Sequence, residues 1–221
     1  MAKAKQITAK EASKLFKDGM TIMVGGFMTN GTSEVIMDAI VESGAKNLTG
    51  ICNDAGYSGK GIGKLISSRQ MTKLIASHVG LNKECGDQFS ANELDLVLVP
   101  QGTLAEQVRS GGAGLGGVLT PTGIGTSVAE GKEIVVVDGK EYLLEKPLKA
   151  DVAVLKGYVV DESGNIRQKG STRNFNPMMA TAADIVIVEA ENLVKAGEIG
   201  PDYVTIPGIF IDYIVVTGGA K

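Results

Sequence analysis

Asn53 and Gln101 carry the side chains best placed for chemistry. Asn53 directly follows the apolar run Asn47–Cys52, and Gln101 follows Leu94–Val99 and Pro100. A carboxamide at a strand end can donate N–H groups to an oxygen that gains negative charge during a reaction. The same residue types also cap loops. A third stretch has a related logic. Thr21-Ile22-Met23-Val24 leads straight into Gly25-Gly26-Phe27-Met28-Thr29-Asn30-Gly31-Thr32-Ser33. A buried run, a glycine-rich turn and a helix start together aim backbone N–H groups at an anionic ligand. The loop carries no charge, so any charge held there belongs to the ligand. A tight strand-to-helix turn is the plain alternative.

The other reactive residue types add little. Phe27 stands where the dinucleotide fingerprint Gly-x-Gly-x-x-Gly needs its second glycine, and no phosphate-loop motif ending in Gly-Lys-Ser/Thr occurs. Asp54 is the one acidic residue within the three glycine-bearing strand ends, Gly25–Ser33, Asn53–Gly63 and Gln101–Thr103. Gly59-Lys60-Gly61-Ile62-Gly63 reads as a plain flexible loop. Arg69, Arg109, Arg167 and Arg173 can each fork onto a phosphate or carboxylate, or simply be solvated. His78 is the only histidine, so a His-rich metal site is excluded, and no metal is expected. Cys52 and Cys85 lack an electropositive or His-paired setting and read as unreactive, unpaired thiols. The site is rich in donors and has no evident nucleophile.

Composition is ordinary for a soluble globular protein. The chain has 221 residues, 43% apolar and 21% charged, with a net charge of −3. Lysine and arginine are scattered singly, which excludes a nucleic-acid surface and a polybasic membrane patch. Met1–Lys10 has no apolar core of a signal peptide, and with two cysteines the expected compartment is the cytoplasm. Glycine accounts for 30 residues, about twice the usual ~7%, and it clusters in loops.

The elements that must position these residues alternate. Thr8-x-x-Glu11 fits a capping box opening a helix to about Lys17. Strands are expected at Met20–Val24, Asn47–Cys52, Lys73–Ser77 and Leu94–Val99. A helix with Val35, Ile36, Ala39 and Ile40 at helical spacing follows the glycine loop. Thr103-x-x-Glu106 fits a second capping box, starting a short helix to about Ser110. Strand, loop and helix in alternation predict a single open, mostly parallel α/β sheet flanked by helices. Ligands bind beyond the carboxyl ends of such strands, so the three polar strand ends are expected to converge. The charge-free run Ser110–Ala129 holds seven glycines and a proline, which makes it an irregular loop and no spanning helix. Asp138-Gly139 predicts a hairpin joining Ile134–Val137 to Tyr142–Leu144, a small β-rich lobe. Further strands are expected at Val152–Leu155, Ile185–Val188 and Ile214–Val216. No linker or repeat is visible, so residues 1–221 read as a single domain.

The motifs together resemble a family. Asp18-Gly19-x-x-Ile22-Met23-Val24-Gly25-Gly26-Phe27-x-x-x-Gly31 is similar to the signature of the α subunit of family I CoA-transferases. Asn53-Asp54-Ala55-Gly56 and Val99-Pro100-Gln101-Gly102-Thr103-Leu104-Ala105-Glu106 are similar to the same family. So are Gly112–Gly117, Thr120-Pro121-Thr122-Gly123 and Arg173-Asn174-Phe175-Asn176-Pro177. The resemblance covers nearly the whole chain and lies nearest the acetate/acetoacetate and butyrate–acetoacetate type. One departure is Ser33, where the family pattern has proline. Thr32 or Ser33 could cap the following helix instead.

The resemblance implies a fold of the CoA-transferase kind, related to the NagB and RpiA architectures. It implies ping-pong transfer of CoA between acyl-CoA and short-chain carboxylates through a glutamyl-CoA thioester. The nucleophilic glutamate of the family lies in a Ser-Glu-Asn-Gly motif of the β subunit, and this chain has no such motif. Coenzyme A is then a substrate, with no tightly bound cofactor, and the partner is a β subunit in an α2β2 assembly. By the same match, Gly25, Gly26, Phe27, Met28, Thr29, Asn30 and Gly31 form the CoA-binding loop. Asn53 would be an oxyanion donor and Gln101 a substrate contact. Two other readings stay open at this point. A sugar-phosphate isomerase of similar architecture needs an in-chain base, for which Asp54 is the candidate. An anion-sensing protein needs no partner.

Overall fold

A computed structural model describes residues 4–217; Met1–Lys3 of the N-terminal stretch and residues 218–221 lie outside it. The first half runs β1 (Lys5–Ile7), α1 (Ala9–Ser13), β2 (Thr21–Val24), α2 (Glu34–Ser43), β3 (Leu48–Cys52), α3 (Gly63–Ser67), β4 (Met71–Ala76), α4 (Lys83–Ser90), β5 (Asp95–Leu98) and α5 (Gln101–Gly112). The second half runs β6 (Val118–Thr120), β7 (Ile134–Val137), β8 (Lys140–Glu145), β9 (Ala150–Asp161), β10 (Ile166–Arg167), α6 (Asn176–Met179), β11 (Ala183–Val194) and β12 (Tyr213–Val216).

The main sheet has the order β1-β12-β11-β9-β2-β3-β4-β5, with β10 paired to β9. All pairs along that order are parallel, and only β10 is antiparallel. β6, β8 and β7 form a separate antiparallel sheet. This is the expected open parallel sheet with a small β-rich lobe. Side chains alternate across the pleat. Ile22 and Val24 of β2, with Val152 and Val154 of β9, pack into one core with Ile36, Met37 and Ile40 of α2. Met23, Ala153 and Leu155 point the other way, into a core with Leu104 and Val108 of α5 and Met179 of α6. Both faces are therefore covered, which is why these parallel strands read as continuous apolar runs.

Strand order reverses at β2. Going one way, the chain steps from β2 to β3, β4 and β5; β9, β11 and β12 lie on the other side. Such a reversal opens a crevice beyond the strand ends, and Gly25 begins there.

Several expected boundaries moved. α1 ends at Ser13, not near Lys17, because the following N–H groups turn to acceptors three residues back, Lys14 to Glu11 and Leu15 to Ala12. Its capping box at Thr8 and Glu11 forms as expected. The second capping box does not form: α5 starts at Gln101, and Pro100 caps it with no side-chain bond. The run Ser110–Ala129 is less irregular than expected, since it holds the end of α5, β6 and one short 3-10 turn. β9 and β11 are twelve residues each, far longer than their apolar cores, because they pair with one another out to Asp161 and Val194. α4 escapes sequence reading because it buries only Cys85 and Gln88.

Candidate functional site

Gly25–Ser33 forms a tight hairpin-like turn at the end of β2. Phe27 N donates to Asn30 O at 3.0 Å and Asn30 N returns to Phe27 O at 2.8 Å. Met28 (φ 51°) and Thr29 (φ 68°) turn the corner, the two positive values a primed turn requires. The tip projects: Phe27 is 49% exposed, whereas Gly25, Gly26 and Gly31 are buried.

The glycines are needed for close packing against the protein itself. A Cβ on Gly25 would fall 2.1 Å from Asn176 Oδ1, and one on Gly26 1.8 Å from Thr32 Oγ1. Gly31 (φ 80°) would meet Thr172 O at 2.6 Å. The N–H groups are engaged as well. Gly25 donates to Val154 O, Gly26 to Asn174 Oδ1 and Met28 to Asp54 Oδ2. The row of free N–H groups expected from the sequence is therefore not how this loop is built. A buried polar group must find a partner, and here the chain supplies it.

The three polar strand ends do converge. Asn53 is 1% exposed, and its Nδ2 donates to Gly26 O at 2.6 Å. Gln101, exposed at the first turn of α5, donates from Nε2 to Asn53 Oδ1 at 2.6 Å. The Ser77 hydroxyl lies against Gln101 Oε1 and against Asn53 O at 2.8 Å. The orientation of this chain is determined from one end. Gly26 O only accepts, so Asn53 must turn its NH₂ toward it. Asn53 Oδ1 then faces Gln101, whose NH₂ must face back, leaving Gln101 Oε1 for Ser77. Each amide keeps a second N–H beyond this chain. Ser77 was not foreseen; a serine at the end of β4 has no motif to mark it.

Asp54 has both oxygens engaged, Oδ2 by Met28 N at 2.9 Å and Oδ1 by Gly56 N at 2.8 Å. It ties the glycine loop to the loop after β3. The space between those loops is about 10 Å³, enough for one water molecule and no substrate. Gly59–Gly63 is not a loose loop either. Gly61 N donates to Glu34 Oε1 at 2.9 Å, and a Cβ on Gly63 would lie 1.9 Å from Tyr57 O.

The family model for coenzyme A transferase matches residues 5–217. The chain belongs to the coenzyme A transferase family. It is 51% identical over 219 residues to the acetate CoA-transferase subunit alpha of Escherichia coli, covering 99% of this chain and 100% of that one. It is 53% identical over 212 residues to the acetoacetyl-CoA:acetate/butyrate CoA transferase alpha subunit of Clostridium acetobutylicum, covering 96% and 97%. In fold it is similar to the glutaconate coenzyme A-transferase of Acidaminococcus fermentans, with a TM-score of 0.88 and 20% identity over 97% of this chain and 76% of that one. An acyl-CoA transferase of E. coli O157:H7, solved as a thioester complex with CoA, has a TM-score of 0.85 and 22% identity; this chain spans 97% of itself and 47% of that chain.

The other residues singled out in the sequence of this CoA-transferase chain lie as follows. Arg109 is exposed on α5 and pairs with Glu106 at 2.6 Å, which raises its pKa. Arg173 is exposed. His78 is exposed beside Asp54, whose backbone it pairs with. Cys52 and Cys85 are buried free thiols. Ser33, in place of the family proline, is the N-cap of α2 and accepts Ile36 N at 3.2 Å. Among the described residues no helix is long and apolar enough to cross a membrane. A cavity of about 210 Å³ lies beside the loop, lined by Thr29, Asn30, Gly31, Lys156 and Lys169 among others.

Proposed function

We propose that this chain is the α subunit of a short-chain acyl CoA-transferase. It moves CoA between an acyl-CoA and a carboxylate acceptor such as acetate, butyrate or acetoacetate. The observation that carries this reading is identity above 50% across nearly the full length of two relatives named as α subunits of such enzymes. The partner is a β subunit, in an α2β2 assembly in the cytoplasm, and residues 1–221 act as one domain.

In this reading a glutamate of the β subunit attacks the thioester carbonyl and expels CoA thiolate, giving an acyl-glutamyl anhydride. The thiolate attacks the glutamyl carbonyl, releases the acyl group as a carboxylate, and leaves glutamyl-CoA thioester. The acceptor carboxylate then reverses both steps. Covalent catalysis divides one hard transfer into easier ones. This chain contributes the Gly25–Gly31 loop toward CoA, with its exposed tip at the crevice. The second N–H of Asn53 stabilises the developing oxyanion, and the second N–H of Gln101 contacts substrate. The engaged carboxylate of Asp54 supports a subunit without its own nucleophile or base. It also removes the in-chain base that the isomerase reading needs.

The test is acyl-CoA-to-acetate and acyl-CoA-to-acetoacetate transfer by the lone chain and by the chain co-expressed with its β subunit. Activity is expected only with the partner. Isomerase turnover by the lone chain, or anion binding without turnover in either preparation, would overturn the reading. Removing one oxyanion donor typically costs about 10²–10³ in rate. Asn53→Ala in the assembled complex is therefore expected to lose at least ~10-fold in kcat. Near-wild-type turnover would remove Asn53 from that role.

A further inference from the structure

Asn174 has a backbone conformation that side chains rarely adopt, φ 24° and ψ −121°, far from the left-handed region near φ +57°, ψ +47° that asparagine ordinarily visits. Such strain persists only where the surroundings over-determine it. Glycine would hold that backbone at little cost, so the side chain must serve something. Its amide spans the glycine loop. Oδ1 accepts Gly26 N at 3.0 Å, and Nδ2 donates to Asn30 O at 3.1 Å. One carboxamide thus grips both legs of the Phe27–Asn30 turn, across nearly 150 residues of sequence.

Asn176 backs this grip from beneath. It is fully buried, and its Oδ1 accepts Lys156 N at 3.2 Å. Its Nδ2 faces Thr172 O at 3.0 Å, Asn174 Oδ1 at 3.1 Å and Gly31 O at 3.3 Å. Gly25 has no side chain where Asn176 Oδ1 packs. The local chain holds them too, with Phe175 N donating to Asn174 Oδ1 at 2.7 Å and Ala180 N to Asn176 O at 3.1 Å.

We infer that Asn174, seated by Asn176, is a positioning residue that holds the Gly25–Gly31 loop in its CoA-binding shape. The inference rests on the reading of that loop as the CoA-facing element. Asn174 acts through the loop and touches no reacting atom. If the loop keeps its shape only part of the time, the apparent affinity for the ligand falls by that fraction.

The experiment uses Asn174→Gly in the chain co-expressed with its β subunit, beside Phe27→Ala at the loop tip. Glycine relieves the strained backbone but removes the acceptor of the buried Gly26 N–H, so the two effects oppose and the Tm is expected to stay near wild type. The KM for acyl-CoA is expected to increase about tenfold, as for a loop that is competent a tenth of the time, while the KM for acetate stays unchanged. Hydrogen exchange at Gly26, whose N–H bonds to Asn174 Oδ1, is expected to accelerate in the free complex. Asn174→Asp keeps the acceptor for Gly26 N–H and loses the donor to Asn30 O, so it should fall between. An unchanged acyl-CoA KM in Asn174→Gly, with a raised one in Phe27→Ala, overturns the positioning role and leaves the loop reading standing. Unchanged values in both variants overturn the loop reading and the inference with it. A lowered Tm with loss of kcat alone would make Asn174 a general structural residue and overturn the inference.

Discussion

Cys52 and Cys85 are buried, and burial pushes both thiols above their ordinary value of 9.0, Cys52 well above it with Asp54's charge adding to the rise. Cys52 also donates to Asp54 O at 2.8 Å. The sequence reading of inert thiols thus has a physical cause. A thiol whose folded pKa is raised favours the folded state below its unfolded value and loses that contribution as pH rises beyond it. Thiol labelling at pH 8 should therefore find neither cysteine until the chain is unfolded, and then both. The urea midpoint should begin to fall as pH passes above 9.0. Rapid labelling of the native protein would contradict the burial. Asp54 gives the opposite lesson. As a residue type it suggests a base, and only its two N–H partners reveal a brace.

α2 begins at the site, and its start depends on a single hydroxyl. Ser33 caps Ile36 N and donates to the buried Glu189 at 2.6 Å, while Glu189 also takes Val35 N at 3.0 Å and pairs with Lys156 at 3.4 Å. The carboxylate thus sits at the helix N-terminus, where negative charge is favourable. Losing a cap costs about 1 kcal/mol, and losing a hydrogen bond to a charged group costs about 1.5–3 kcal/mol. Ser33→Ala should therefore destabilise the chain by roughly 2–4 kcal/mol in urea unfolding. A midpoint matching wild type would mean that Glu189 needs no partner in Ser33. α5 shows what the sequence misread at this scale. Thr103 and Glu106 have the spacing of a capping box, yet Thr103 is buried inside the helix and Glu106 pairs with Arg109. Beginning at Gln101 instead puts that amide beside Asn53.

Across the whole molecule, burial is greatest where the strand order reverses. β2, β9 and β11 carry side chains of 0–2% exposure on both faces, while β5 and β7 are mostly exposed. Local opening is cheapest where few apolar contacts are lost. Hydrogen exchange should therefore be slowest at Met23, Val152–Leu155 and Val186–Val188, and fastest in β6, β7 and the tip of the β7–β8 hairpin. Equal protection throughout would show that the two sheets open together. In the glycine loop, Gly25, Gly26 and Met28 belong to the slower set, because their N–H groups bond to Val154 O, Asn174 Oδ1 and Asp54 Oδ2.

The sequence by itself determined the parallel α/β class, because each strand is an apolar run bounded by a polar loop. It also determined the small hairpin lobe through Asp138-Gly139, where Asp138 (φ 50°) and Gly139 (φ 76°) take the expected turn. It marked Asn53, Gln101 and the glycine loop as neighbours, since strand ends of one parallel sheet must meet on one edge. Only the tertiary structure decided what the glycines are for. Their missing Cβ atoms are replaced by Asn176, Thr32 and Thr172, contacts up to 151 residues apart in sequence between Gly25 and Asn176. It also decided that the loop's N–H groups bond to the protein and that Asp54 is engaged. Such facts depend on which backbone groups are left to pair once distant strands are side by side, and local sequence does not carry that information.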